Sequence, residues 1–257
     1  PKPRPKSHLD TARVQPVVAA HCFETALFKP NGRAIIDSMV RKGAKTKSQI
    51  LETALRIASR EGLSGLTIGE LAKSVGLSKS GLFAHFKGKD TLQLSVLSAA
   101  VDHFVATVMA PAFAQPRGQP RIEALIKNWL AFIDGSTSLP GGSVLISASV
   151  ELDDRPGPLR DFVQKSQRDL IRNLEKSAMI AVDESHFRRD LDCEQFAWTL
   201  YSYILGYHHF ARLLDNPKAT TFVWRSVNDL LESARAGRTM TKKQESKNIK
   251  QTARKRR

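Results

Sequence analysis

The sequence predicts an all-α protein, with a small three-helix unit near the N-terminus and a larger helical domain after it. Three observations carry that expectation. Apolar residues recur at helical spacing in successive blocks from about residue 50 to residue 236. Side-chain caps, glycines and prolines punctuate the blocks. No window alternates apolar and polar residues as a half-buried strand does, and no internal repeat is visible.

The blocks can be justified in order. Thr46 and Gln49 have capping-box spacing, and Ile50, Ala54, Ile57 and Ala58 then recur on one face, widened by Leu51 and Leu55. Gly62 supplies a stop. Thr67 and Glu70 form a second capping box, which opens a short helix with Leu71, Ala72 and Val75 inward and Gly76 at its end. Ser78 caps a third helix, whose inward residues are Leu82 and Phe86. Lys87-Gly88-Lys89-Asp90 breaks the chain before a long helix from about Thr91 to Met109. After a Pro111–Pro120 linker, further helices are expected over about Arg121–Asp134, Val144–Val150 and Leu159–Val182. The Asp192/Gln195 pair opens a helix to about Leu214, and Asn216-Pro217 opens the last, to about Ala236.

Charge is distributed unevenly over the 257 residues, whose formal net charge is +15. Residues 1–38 carry net +3, residues 39–92 net +6, residues 93–234 net −3 and residues 235–257 net +9. A slightly acidic body between basic ends fits a polyanion partner, although charge alone also fits a solvated surface with a sticky tail. Cys22 and Cys193 are too few and too far apart for a disulfide framework or a zinc site. No uninterrupted apolar run reaches the roughly 18 residues of a membrane span, and Val14–Phe28 lacks a signal-peptide pattern, so a cytoplasmic protein without membrane contact is expected. The expected organisation is a basic, flexible extension over 1–45, a DNA-binding unit over 46–92, a ligand-binding and dimerisation domain over 93–236 and a disordered basic tail over 237–257. Met39 is a candidate natural start, the alternative being a basic arm that follows phosphates.

The run Leu71-Ala-Lys-Ser-Val-Gly-Leu-Ser-Lys-Ser-Gly-Leu-Phe-Ala-His-Phe reads as a helix-turn-helix. Ala72 is small where a second helix crosses, and Gly76 suits a turn with positive φ. Leu71, Val75, Leu77 and Leu82 fill the wedge, which leaves Ser78, Lys79 and Ser80 at the open end of the third helix. Short or basic hydrogen-bonding side chains there suit base edges and phosphates in a major groove. An ordinary helical hairpin shares the Ala and Gly logic but not the exposed Ser-Lys-Ser.

From Lys47 to Leu92 the sequence resembles the TetR/AcrR group of transcriptional repressors. The resemblance rests on Ile50-Leu-x-x-Ala54, Gly62, Thr67-Ile-x-Glu70-Leu-Ala72, Val75-Gly-Leu-Ser78, Leu82-Phe-x-His85-Phe86 and Lys89-Asp90-x-Leu92. Beyond residue 92 it lies mainly in length and helix order, with Gly141-Gly142 to Pro158 similar to some members' ligand domains. The resemblance implies an all-helical homodimer that binds a partly palindromic double-stranded operator and leaves it when a small-molecule inducer enters the larger domain. It implies that Ser78, Lys79, Ser80 and His85 face the operator, and that Thr46, Lys47, Thr67 and Lys89 meet phosphates. Lys89 would also connect the DNA to the ligand domain through the fourth helix. Helix N-termini favour anions, which supports Thr46, Lys47 and Thr67 independently. Phe83 stands where the family usually has tyrosine, so it meets a thymine methyl or only packs. His85 is also readable as a core-edge residue and Lys89 as a solvated cap.

In the larger domain, Trp129, Phe132, Phe162, Trp198 and Tyr201 are candidates for the ligand pocket, although aromatic stripes are more often core. Their apolar character points to an apolar or amphipathic inducer. The candidate dimer surface pairs Phe196, Leu200, Tyr203 and Tyr207 with Phe222, Val227, Leu230 and Leu231. Neighbouring His208 and His209 point about 100° apart on a helix and cannot share a metal. Glu151, Asp153 and Asp154 read as a solvated loop before Pro156-Gly157-Pro158. No nucleophile–base pair, phosphate loop or metal-ligand spacing occurs, so no catalytic residue, cofactor or metal is expected. Three rivals remain: a ligand-independent or nucleoid-type DNA-binding protein, an enzyme that uses the 151–154 acids, and an interaction scaffold that binds a partner but does not discriminate between DNA sequences.

Overall fold

A computed structural model describes residues 38–135 and 139–237, with side chains from Lys47 onward. The expected N-terminal arm before residue 38 and the tail beyond residue 237 lie outside the described residues. Ten α-helices form among the described residues: α1 Ser38–Gly65, α2 Ile68–Ser74, α3 Lys79–Phe86, α4 Lys89–Phe104, α5 Ala110–Phe113, α6 Gln119–Ile133, α7 Val144–Glu151, α8 Pro158–Asp183, α9 Cys193–His208 and α10 Ala219–Ala234. No strand occurs among the described residues, and an isolated bridge pairs Phe187 with Arg235.

The second and third helices begin at local caps. Thr67 accepts from the Glu70 amide at 3.2 Å and Ser78 from the Gly81 amide at 3.0 Å, so both expected caps form. Gly76 takes φ 68°, where a β-carbon is strained, and turns α2 into α3. Ile50, Ala54, Ala58, Leu71, Ala72, Leu82, Phe86 and Leu92 are buried together. Burying a leucine or phenylalanine side chain contributes roughly 1.5–3 kcal/mol, which suffices to hold such short helices on α1 and α4.

Several boundaries differ from those expected. The α1 backbone is already helical at Ser38, so Thr46 lies inside the helix rather than at its cap. Residues 38–46 contain no proline and several good helix formers, so nothing stops the helix at Thr46. Helix α4 continues through a π-helical turn at Val105–Met109 into α5, so Pro111 lies inside a helix rather than in a linker. The Ala110 amide donates to the Val105 carbonyl five residues back, the π-helical bond made just before Pro111, and Asn128 of α6 separately donates to the Val108 carbonyl at 3.2 Å. The resulting Lys89–Phe113 helix is long and apolar enough to cross a membrane, against the sequence expectation. It is the central core helix, with Val96, Leu97, Val101, Phe104 and Val108 buried. Helix α10 starts at Ala219, because Asn216 Oδ1 accepts from the Lys218 amide at 2.9 Å and makes a turn first.

In the larger domain α7 and α8 pack on α4, α6 packs on the π turn that continues α4, α9 lies on α8, and α10 lies on α9. Trp129 meets Phe104 edge-on at 5.1 Å between ring centroids, and Phe132 meets Phe104 likewise at 5.6 Å. Arg188 donates its amide to Ala234 at 2.8 Å, and Ala236 donates to His186 at 3.0 Å, which ties the end of α10 to the turn after α8.

Candidate nucleic-acid interface

Helix α3 presents its leading end outward. Leu82 and Phe86 anchor it to the core, while Ser78, Lys79, Ser80, Phe83 and Ala84 are exposed. The Ser78 hydroxyl lies 3.0 Å from that of Ser80. Because Ser78 already caps α3, the Ser80 hydroxyl is the less committed of the two. The Lys79 side chain lies over the start of α2, its Cε 3.3 Å from the position a β-carbon would take on Gly69. The ammonium, 3.8 Å from the same position, therefore lies beside the first turn of α2, and two helix N-termini and a cation share one open surface.

The remaining candidates differ in exposure. Lys89 is exposed at the start of α4, where Gly88 offers no side-chain cap. Lys47 is exposed, its ammonium 5.6 Å from the centre of the Phe86 ring. Phe83 keeps 46% of its surface exposed, with no hydroxyl to offer a phosphate. His85 is only half-buried, its ring 6.3 Å from that of Phe86. Thr46 is described in its backbone alone. Lys73 and Lys87, exposed beside these groups, were missed as candidates. Lys87 takes φ 53° as it ends α3, an uncommon conformation for a lysine.

Two family models match the chain. Residues 50–96 match the tetR family of bacterial regulatory proteins, and residues 118–227 match the tetracyclin repressor-like C-terminal domain. The chain belongs to the TetR family. It is a DNA-binding transcriptional regulator by that membership. AcrR of Shigella flexneri is 36% identical over 52 residues, 20% of this chain and 24% of AcrR, so the match spans about a quarter of that relative. The nucleoid occlusion factor SlmA of Vibrio cholerae is 26% identical over 150 residues, 56% of this chain and 76% of SlmA. A TetR transcriptional regulator from Chloroflexus aurantiacus shares the fold at TM-score 0.68 and 21% identity, over 77% of this chain and 100% of that one.

The candidate pocket residues of this TetR-family chain do not all meet. Trp129 and Phe132 are buried, and Phe162 is half-buried against the core. The Tyr201 ring lies 6.1 Å from that of Trp129, and its hydroxyl donates a short hydrogen bond to Gln167 Oε1. Burial pushes that hydroxyl up to about 12, so it stays a neutral donor. Trp198 is a correction: it points out of α9 with 63% of its surface exposed, because Ala197 and Leu200 occupy the inward face. A small interior space lies between Phe104, Trp129, Ser143, Leu145, Ile146, Ser166, Gln167 and Leu170. Its volume of about 10 Å³ admits a single water. The indole N–H of Trp129, one of the lining residues, is buried without an acceptor among the described residues.

The expected dimer stripe also needs correcting. Phe196, Leu200, Tyr207, Val227 and Leu231 are buried within their own subunit. The large apolar groups left outside on α9, α10 and the turn between them are Trp198, Leu205, Phe210, Leu213, Leu214 and Phe222. Phe210 and Phe222 flank an apolar groove of about 330 Å³ with Tyr203 and Gly206 in its wall. Among the described residues no His, Cys, Asp and Glu group could hold a metal ion.

Proposed function

We propose that this chain is a ligand-responsive repressor that binds a partly palindromic operator as a homodimer in the cytoplasm and is released by a small-molecule inducer. The observation that carries the DNA half of the reading is the free leading end of α3, with Ser78, Lys79 and Ser80 exposed above a core that fixes the helix. In this reading Lys79 and Ser80 read base edges, His85 and Phe83 flank them, and Lys47, Thr67 and Lys89 hold phosphates, with Thr46 nearby on α1. Two heads on a dimer then meet half-sites about one helical turn, roughly 34–36 Å, apart.

The exposed Phe210, Phe222 and Leu205 support pairing of α9 and α10 with their twofold copies. The aromatic interior around Trp129, with one free N–H donor and no charged lining, supports an apolar inducer carrying a hydrogen-bond acceptor. Entry of such a molecule requires the space to open, and it releases the operator only if it binds the DNA-incompetent arrangement more tightly.

Selection of bound duplexes from a random pool, followed by a screen for compounds that release the best duplex, tests the reading. The expected result is one enriched motif with two related halves, and at least one apolar compound that weakens its binding. Failure to enrich any motif would overturn it. The similarity to the nucleoid occlusion factor SlmA and the closed interior favour a second reading, a nucleoid-type or ligand-independent DNA-binding protein. An enriched motif with no releasing compound would select it.

A further inference from the structure

The segment from Pro140 to Leu152 touches α1 at two points. At its start, the Gly141 amide donates to Ser59 Oγ at 3.3 Å, and a β-carbon on Gly141 would sit 1.6 Å from the Ser59 carbonyl oxygen. At its end, Glu151 closes α7 with its carboxylate on the last turn of α1. One oxygen accepts from the Leu63 amide at 2.9 Å and the other from the Ser64 amide at 2.7 Å. The Ser64 hydroxyl makes a further short bond to Glu151. Gly62, at φ 75° and ψ 172°, breaks the helix just before these two residues and turns their amides to the carboxylate. Buried Gln93 of α4 donates to the Leu63 carbonyl at 2.7 Å, so the same turn is gripped from both sides.

The other end of α7 belongs to the interior. Ser143, Leu145 and Ile146 line the space beside Trp129, and Gln167 donates to the Leu145 carbonyl at 3.3 Å. Eight helical residues make a strut about 12 Å long, from that space to the break in α1.

We propose that Glu151 is a positioning residue that fixes the angle of the DNA-reading head against the larger domain and so sets which half-site spacing the dimer accepts. The proposal rests on the operator-binding reading above. A carboxylate shared by two amides and a hydroxyl is a directional clamp, because charge-assisted bonds are stronger than neutral ones and break at small displacements. Helix α7 is short and packed along its length, with Val144, Leu145, Ile146 and Ala148 buried. A shift of its inner end therefore moves Glu151 with it rather than being absorbed.

The test uses the full chain with the duplex recovered by selection, the same duplex with one base pair added or removed between its halves, and a single half-site. Glu151→Ala is expected to keep wild-type affinity for the half-site, to lose about tenfold on the full duplex, and to discriminate less against altered spacing. Amide exchange at Leu63 and Ser64 is expected to accelerate while that of Leu82 and Phe86 holds. Glu151→Gln, which keeps one acceptor oxygen, is expected to fall between, and it decides the question if the alanine variant does not fold. Unchanged spacing discrimination in a folded variant overturns the proposal while leaving operator binding intact. Unchanged exchange at Leu63 and Ser64 overturns it without reference to any DNA. If the wild type selects no sequence, both readings fall together.

Discussion

The reading head and its junction with the larger domain are held in opposite ways. In the head, α2 and α3 are each opened by a cap whose partner is three residues away, Thr67 with Glu70 and Ser78 with Gly81. At the junction, the partners are 82 residues apart for Gly141 and Ser59 and 87 for Glu151 and Ser64. The difference teaches where specificity and control can reside. A locally determined head can present the same surface to DNA whatever the larger domain does. A junction made of distant contacts changes whenever the larger domain moves.

Substitutions can break this comparison. The largest effect is expected from Leu82→Ala, which removes a fully buried anchor of α3 and should cost about 3 kcal/mol. Thermal melting should show that loss together with loss of sequence-specific binding. Gly141→Ala places a methyl against the Ser59 backbone and should cost about 2 kcal/mol. Unlike Leu82→Ala, it should leave half-site affinity near wild type once folded, which titration of a half-site duplex would check. Lys79→Ala should cost about 1–3 kcal/mol on the preferred duplex and relax sequence choice. Lys89→Ala should weaken all duplexes alike and lower the salt slope by about one. Equal, sequence-blind effects from both lysines would contradict their separate roles. The smallest effect is expected from Thr67→Ala, about 1 kcal/mol in the melting curve from the lost cap.

The same contrast explains what could be read from the sequence. Caps, the Gly76 turn and the inward Leu82 and Phe86 are short-range signals, and the head follows from them. The Thr46 cap signal failed because nothing in the preceding residues stops a helix, and a potential cap is no use inside one. Pro111 suggested a linker, yet a π turn carries the helix through it. Glu151 looked like part of a solvated acidic loop because its partners are invisible at that distance in sequence; Asp153 and Asp154 are indeed exposed. Trp198 has the bulk of a pocket residue, but helical phase places it outside. Gly62 was the one local hint of the latch, read only as a stop.

Cross-linking from α3 tests the central claim most directly. A photoreactive probe on Ala84→Cys, a position exposed on α3, would report what that helix faces when the selected duplex is bound. The account predicts adducts on major-groove base edges in both half-sites, about one helical turn apart. Adducts confined to the sugar–phosphate backbone, or scattered without regard to the motif, would contradict it.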